Sequence, residues 1–293
     1  MGRITGRAGV PAGPGTHGRG VPVTQEASAR SVAEGGSAPR PPRRRTRGRV
    51  SAALRFAVLV VYPVASLLFR LRYRHPERIP VSGPVLLVAN HVSILDPLAC
   101  ARLVWDNGRV PHFLAKESVF RGWLGPLLRS AGQIPVARFT ADAHEALHAA
   151  EADLAAGNLV VIYPEGSVTR DPDWWPMESR TGVARLALTT DAVVLPVAQW
   201  GPQRVHDYHS GKLRLRLRTP TDYLVGEPVD LSEQRARLRA GQPLNAELLK
   251  ETTNLIMSRV RDQLADLRGE PAPAAVHPRP RRELPGDLPG TAA

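Results

Sequence analysis

Apolar residues gather into short runs across the middle of the chain and thin out towards both ends. Residues 85–89, VLLVA, are apolar at every position and include β-branched side chains. That is the pattern of a strand covered on both faces of a sheet. Further runs at 110–115, 132–136, 159–163 and 192–199 predict further strands. Between them Ala143, Leu147, Ala150 and Leu154 recur at helical steps, predicting a helix over 140–157 that Gly157 closes. Further helices are expected at about 97–105, at 119–130 with an interruption at Gly125-Pro126, at 182–188 and at 244–267. Residues 212–218 alternate Leu213, Leu215 and Leu217 with Arg214, Arg216 and Arg218, which predicts a half-solvated edge strand. Residues 171–176, DPDWWP, read as a loop with exposed tryptophans. Strands alternating with helices define an α/β fold: a single mixed-sheet domain flanked by helices, with a membrane-associating helical element before it and disordered tails. The expected boundaries are a basic tail at 1–50, the membrane-associating segment and its connection at 51–80, the α/β domain at 81–269 and a second tail at 270–293.

Charge sharpens the picture of the N-terminus. The whole chain carries +12, and residues 1–50 hold ten arginines against two glutamates. This segment has almost no large apolar side chains, so it cannot bury enough surface to offset its chain entropy and is expected to be disordered. No apolar stretch follows closely on Met1, which argues against a secretory signal. Its arginine cluster at 43–49 lacks interleaved aromatics for stacking on bases, so nucleic acid is not the expected partner. The cluster instead precedes the apolar segment 54–71, a position suited to anionic lipid headgroups. That segment has an uninterrupted core of about 14 residues containing Pro63, short of the roughly 20 needed to span a bilayer. It predicts a monotopic element lying in or dipping into one leaflet, with a buried core helix and a single span with snorkelling flanks as the competing readings. Cys100 is the sole cysteine, so no intrachain disulfide is possible, and it is expected to be a small core residue.

The candidate chemistry begins where the first buried strand ends. Asn90-His91 follows residues 85–89, and Asp96 stands five positions after the histidine. Ligands of α/β folds bind at this carboxyl edge of the sheet. Asp96-Pro97 reads as the N-cap and first residue of a helix. A tight turn would bring the carboxylate back to the imidazole ring. Such a pair offers general base catalysis, with the carboxylate fixing the tautomer. Backbone N–H groups at the start of that helix are the expected oxyanion donors. One His and one Asp are too few ligands for a metal site. Residues 166–168 do not form a nucleophile elbow either.

Four signals stand in order: Asn90-His91 with Asp96, Gly132-Gln133-Ile134-Pro135-Val136-Ala137-Arg138, Tyr163-Pro164-Glu165-Gly166-Ser167, and Val194-Leu195-Pro196-Val197. Together they resemble the glycerolipid acyltransferase family over about residues 54–197. The resemblance implies that His91 is the catalytic base and Asp96 its orienting acid. It implies that Arg138 and Lys116 bind the acceptor's phosphate, and that Glu165, Gly166 and Ser167 shape the acceptor site. The family's third motif ends in an arginine directly after its threonine. Here the arginine falls later, at Arg170, and Arg180 competes for the role. The implied reaction moves an acyl chain from acyl-CoA or acyl-carrier protein to the sn-2 hydroxyl of 1-acyl-glycerol-3-phosphate, giving phosphatidic acid for phospholipid synthesis. Alternative acceptors are glycerol-3-phosphate or a lysophospholipid. A non-catalytic membrane or nucleic-acid binder is the reading of another class. No cofactor and no metal are expected beyond the acyl donor as co-substrate. The expected partners are the lysophospholipid, the acyl donor and an anionic membrane surface, at the cytoplasmic face of the cell membrane.

Overall fold

The computed structural model describes Gly2 and residues 52–122, 124–136 and 143–280. The basic tail expected at 1–50, Gly2 apart, and Arg138 lie outside the described residues. Helix α1 (Ala52–Leu68) comes first and carries Pro63 within it. Strand β1 (Phe69–Arg74) follows without a break. The segment expected as one element from 54 to 71 therefore divides at Leu68. The reason lies in the pattern: Phe69, Leu71 and Tyr73 alternate with Arg70, Arg72 and Arg74, a period of two that a helix cannot use.

In order there follow β2 (Val85–Ala89), α2 (Asp96–Asp106), β3 (Pro111–Lys116), α3 (Leu124–Ser130) and β4 (Ile134–Val136). Then come α4 (Ala143–Ala155), β5 (Leu159–Ile162), α5 (Gly182–Thr189) and β6 (Val193–Trp200). A small hairpin of β7 (His206–Asp207) and β8 (Lys212–Leu213) precedes β9 (Thr219–Val225), α6 (Ser232–Arg239) and α7 (Ala246–Arg268). Seven strands form one sheet in the order β1-β9-β6-β2-β5-β3-β4. All neighbours are parallel except β6 and β9, so the sheet is mixed.

The apolar run of β2 is explained by two cores. Val85, Leu87 and Ala89 face α2, where Ala99, Cys100, Leu103 and Val104 are buried, together with Ala65 of α1. Leu86 and Val88 face the opposite layer, with Leu154 of α4, Val183 and Leu186 of α5 and Val260 of α7. A strand with both faces covered has no polar positions to spend. Helix α7 opens on Asn245, whose side chain accepts from Leu248 N at 2.9 Å, and closes on Gly269 with φ +70°.

Several local expectations are corrected. Only Lys212 and Leu213 of the 212–218 stretch are in a strand, because residues 214–218 meet no partner strand. Gly125 and Pro126 do not interrupt a long helix; they sit in the first turn of the short α3, where Pro126 lacks nothing by having no N–H. Trp175 is buried and Trp174 is half-buried, not exposed. Asp171 folds this loop inward by accepting from Asp173 N and Trp175 N. Residues 271–280 contain no helix or strand and are tied to the domain by Glu178 N donating to the His277 carbonyl at 2.9 Å.

The β6–β9 corner depends on Gly201, with φ +130°. A Cβ there would stand 2.4 Å from the Pro220 carbonyl oxygen and 2.8 Å from Thr221 Cα, both backbone. Gly201→Ala is therefore expected to cost about 1–3 kcal/mol. Urea unfolding checks this, as a lower midpoint at unchanged slope.

Candidate active site

The carboxyl ends of β2, β5 and β3 lie side by side and converge on one cavity of about 810 Å³. Its wall is mostly apolar: Val58 and Val61 of α1, Leu98 and Trp105 of α2, Phe113 of β3 and Phe120. His91, Lys116, Ser167, Arg180 and Tyr208 bring polar groups to the same cavity.

His91 follows directly from the end of β2 because Asn90 is locked in place. Asn90 Nδ2 donates to the Gln199 carbonyl at 3.1 Å, Gln199 N to Asn90 Oδ1 at 2.8 Å and Gln199 Nε2 to the Asn90 carbonyl at 2.6 Å. The imidazole stacks on Tyr163, with ring centroids 4.4 Å apart. Its Nδ1 lies 2.8 Å from Asp96 Oδ2, with His91 12% and Asp96 0% exposed. The same Oδ2 accepts from Val92 N at 2.6 Å and Ser93 N at 2.9 Å. Asp96 is thus the first residue of α2 rather than its N-cap, and its carboxylate caps the preceding turn; Leu95 takes the cap position. Burial pushes the Asp96 carboxyl upward, opposed by the His91 ring and the two backbone N–H groups. With Nδ1 committed to Asp96, Nε2 is the nitrogen left for a substrate.

Glu165 stands in the loop after β5, 1% exposed. Oε1 accepts from His91 N at 2.8 Å and Oε2 from Met177 N at 3.1 Å. Burial pushes this carboxyl up to about 8, against the pull of those two N–H groups. Thr169 N also donates to the His91 carbonyl at 2.9 Å, so the loop after β5 holds the histidine's backbone from two sides.

The residues singled out from sequence fall into distinct positions. His91, Lys116, Gly166 and Ser167 line the cavity. Asp96 and Glu165 lie behind its wall, buried. Arg170 is outside it, with its guanidinium 4.7 Å over the Tyr208 ring and donating to the Tyr208 hydroxyl at 3.0 Å. Arg180 is on the wall against Gly166, whose φ is +77° and where a Cβ would stand 2.7 Å from Arg180 Nε. The expected oxyanion donors at the start of α2 are spent. Pro97 has no N–H, and Leu98 N and Ala99 N both donate to the Leu95 carbonyl. Tyr208 and Gln199 were not legible as site residues, since nothing in their sequence neighbourhood distinguishes them from core or surface; Tyr163 stood in the third motif, but its stacking on His91 was not legible. Among the described residues no group of three His, Cys, Asp or Glu side chains is placed to hold a metal ion.

An imidazole oriented by a buried carboxylate on the wall of an apolar cavity, with cations nearby, is an arrangement able to take a proton from a bound hydroxyl. The model of the Acyltransferase family matches residues 70–200 of this chain. Similar curated proteins include an uncharacterized protein of Mycobacterium leprae, 30% identical over 149 residues, covering 47% of this chain and 38% of that protein. Another is an uncharacterized protein of Mycobacterium tuberculosis, 31% identical over 149 residues, covering 47% of this chain and 39% of that protein. The chain thus matches about two-fifths of the length of these relatives. The fold is shared with the crystal structure of the 1-acyl-sn-glycerophosphate (LPA) acyltransferase, PlsC, from Thermotoga maritima, at a TM-score of 0.52 and 23% identity, over 72% of this chain and 80% of that one.

Proposed function

We propose that this protein transfers an acyl chain from a thioester, acyl-CoA or acyl-carrier protein, to the sn-2 hydroxyl of 1-acyl-glycerol-3-phosphate, making phosphatidic acid. One observation carries the reading: the His91–Asp96 couple, 2.8 Å apart, opens onto an apolar cavity of about 810 Å³ that also holds Lys116 and Arg180. His91 Nε2 takes the proton of the acceptor hydroxyl, and Asp96 keeps Nδ1–H in place and stabilises the imidazolium. The oxygen attacks the thioester carbonyl, the C–S bond breaks, and the thiolate leaves with the proton from His91. No acyl-enzyme is formed. The apolar wall suits an acyl chain in size and character. In this reading Lys116 and Arg180, both on the cavity wall, bind the acceptor's phosphate, arginine in bidentate fashion. Arg170, stacked on Tyr208, serves the rim of the site; a headgroup that reaches Tyr208 meets it there.

The protein also meets a lipid surface in this reading. Phe56, Leu59, Val60, Val64 and Leu67 are exposed along one side of α1, at helical spacing. No helix among the described residues is long and apolar enough to cross a membrane. An exposed apolar stripe on a helix whose other side walls the cavity fits a monotopic element, which delivers lipid substrates directly.

Acceptor kinetics test the assignment. Lys116→Ala and Arg180→Ala are each expected to raise KM for lysophosphatidic acid by about tenfold or more, the worth of one charge-assisted contact. Turnover of a phosphate-free acceptor such as monoacylglycerol is expected to stay unchanged by either substitution. An equal loss on both acceptors would remove the phosphate assignment.

A further inference from the structure

The β7–β8 hairpin runs into a stretch, residues 212–218, that no part of the catalytic account uses. Every residue of it is exposed. Leu213, Leu215 and Leu217 are 57%, 72% and 61% exposed. Large apolar side chains at that exposure, three in five positions, are costly in water and normally mark an interaction surface. Lys212, Arg214, Arg216 and Arg218 alternate with them, and no acidic residue intervenes. None of these four has a carboxylate partner among the described residues.

Two contacts fix where this stretch lies. Arg218 N donates to the Leu67 carbonyl at 2.8 Å, joining its end to the last turn of α1, beside the exposed Leu67. At its base, Ser93 Oγ donates to the His206 carbonyl at 3.0 Å, and Tyr208 lies on the cavity wall. The stretch therefore bridges the turn holding Asp96 and the exposed apolar stripe of α1.

We propose that residues 212–218 form a second membrane contact, in which the three leucines enter the edge of an anionic leaflet and Lys212, Arg214, Arg216 and Arg218 bind its phosphates. An acidic protein would satisfy the cations, but it would leave alternating leucines without an apolar solvent. A lipid interface satisfies both, since apolar side chains lie below the headgroups and guanidinium groups among them. Continuity with α1 gives a surface that grips the leaflet on two sides of the cavity. The inference rests on the reading of α1 as a lipid-facing helix for its geometry, and not on the identity of the acceptor.

The full chain has one native cysteine, Cys100, and it is buried, so an added surface cysteine can be labelled selectively. An environment-sensitive fluorophore is placed at Leu215→Cys and, separately, at Leu59→Cys on α1. Each labelled protein is mixed with vesicles of phosphatidylcholine alone or of equimolar phosphatidylcholine and phosphatidylglycerol. The expected result is a blue shift at both positions on the anionic vesicles. Arg214→Gln with Arg216→Gln is expected to lower the partition coefficient by about twenty-fivefold, from roughly fivefold per basic residue at an anionic surface. The effect is expected to fade with salt. A shift at Leu59→Cys without one at Leu215→Cys would overturn the second contact and leave the first. No shift at either would overturn both. A shift at Leu215→Cys caused by acyl-carrier protein without vesicles, and not by vesicles, would reassign the stretch to a protein partner and overturn the proposal.

Discussion

Replacing His91 by Ala is expected to lower acyl transfer by a factor of about 10²–10⁴, the usual worth of a positioned general base. The loss should fall on kcat, because in the proposed mechanism the ring meets the reacting hydroxyl rather than the acyl chain or the phosphate. The variant should still fold. Asp96 keeps Val92 N and Ser93 N as donors, and the missing ring is at the cavity rather than in the core. Circular dichroism of the variant alongside single-turnover rates separates chemistry from folding. Asp96→Asn is expected to lower kcat as well, since the amide no longer stabilises an imidazolium. A variant lacking His91 that kept wild-type turnover would remove the proposed mechanism.

Glu165→Ala is expected to be the most destabilising of the site substitutions, by about 2–6 kcal/mol. It leaves two buried backbone N–H groups, of His91 and Met177, without their acceptor, each worth roughly 1–3 kcal/mol. Its effect on turnover follows from the same bond, because His91 N is held by Oε1 at 2.8 Å. Glu165 also gives stability a pH dependence. Burial raises its carboxyl from 4.5 to about 8. Between those values the unfolded chain releases the proton while the folded chain retains it. The folded state then binds more protons, so stability falls as pH rises through this window. The full shift corresponds to an upper bound of about 5 kcal/mol. The raised Asp96 carboxyl acts with the same sign. Urea unfolding at pH 5.5 and 7.5 is expected to show the wild type weaker at the higher pH, and Glu165→Ala with a smaller difference between the two. Stability that rose with pH in the wild type would contradict this account of Glu165.

The parts of the fold that rest on local pattern were legible in the sequence. β2 and β5 read as buried strands because both of their faces are covered, which leaves an unbroken apolar run. The residues after them, at 90–96 and 163–167, stood out because polar groups abruptly follow those runs. What needed long-range pairing was not legible. β1 is contiguous with an apolar helix, and β9 read as no element at all, yet they pair in register from Phe69–Thr219 to Arg74–Leu224. The reverse error arose at 212–218, where a period of two suggested a strand that has no partner beyond Leu213. The tryptophans misled for a similar reason: flanking Asp and Pro suggest an exposed loop, but Arg268 lies over both Trp175 and Trp200 and Trp174 stacks on His209. At the site, spacing alone proposed the His91–Asp96 pair. It did not show that Glu165 turns inward to hold His91, nor that Arg180 rather than Arg170 reaches the cavity wall. Those facts depend on how the loop after β5 returns past β2, which no local pattern encodes.

The most direct measurement is the stoichiometry of products formed by the full chain in detergent from oleoyl-CoA and lysophosphatidic acid. Free thiol and phosphatidic acid are followed in the same reaction. The account predicts one phosphatidic acid for each thiol released, with no release when the acceptor is omitted. Thiol released without phosphatidic acid would make the site a thioesterase, and an inert, folded protein with this acceptor and with either thioester donor would contradict the assignment.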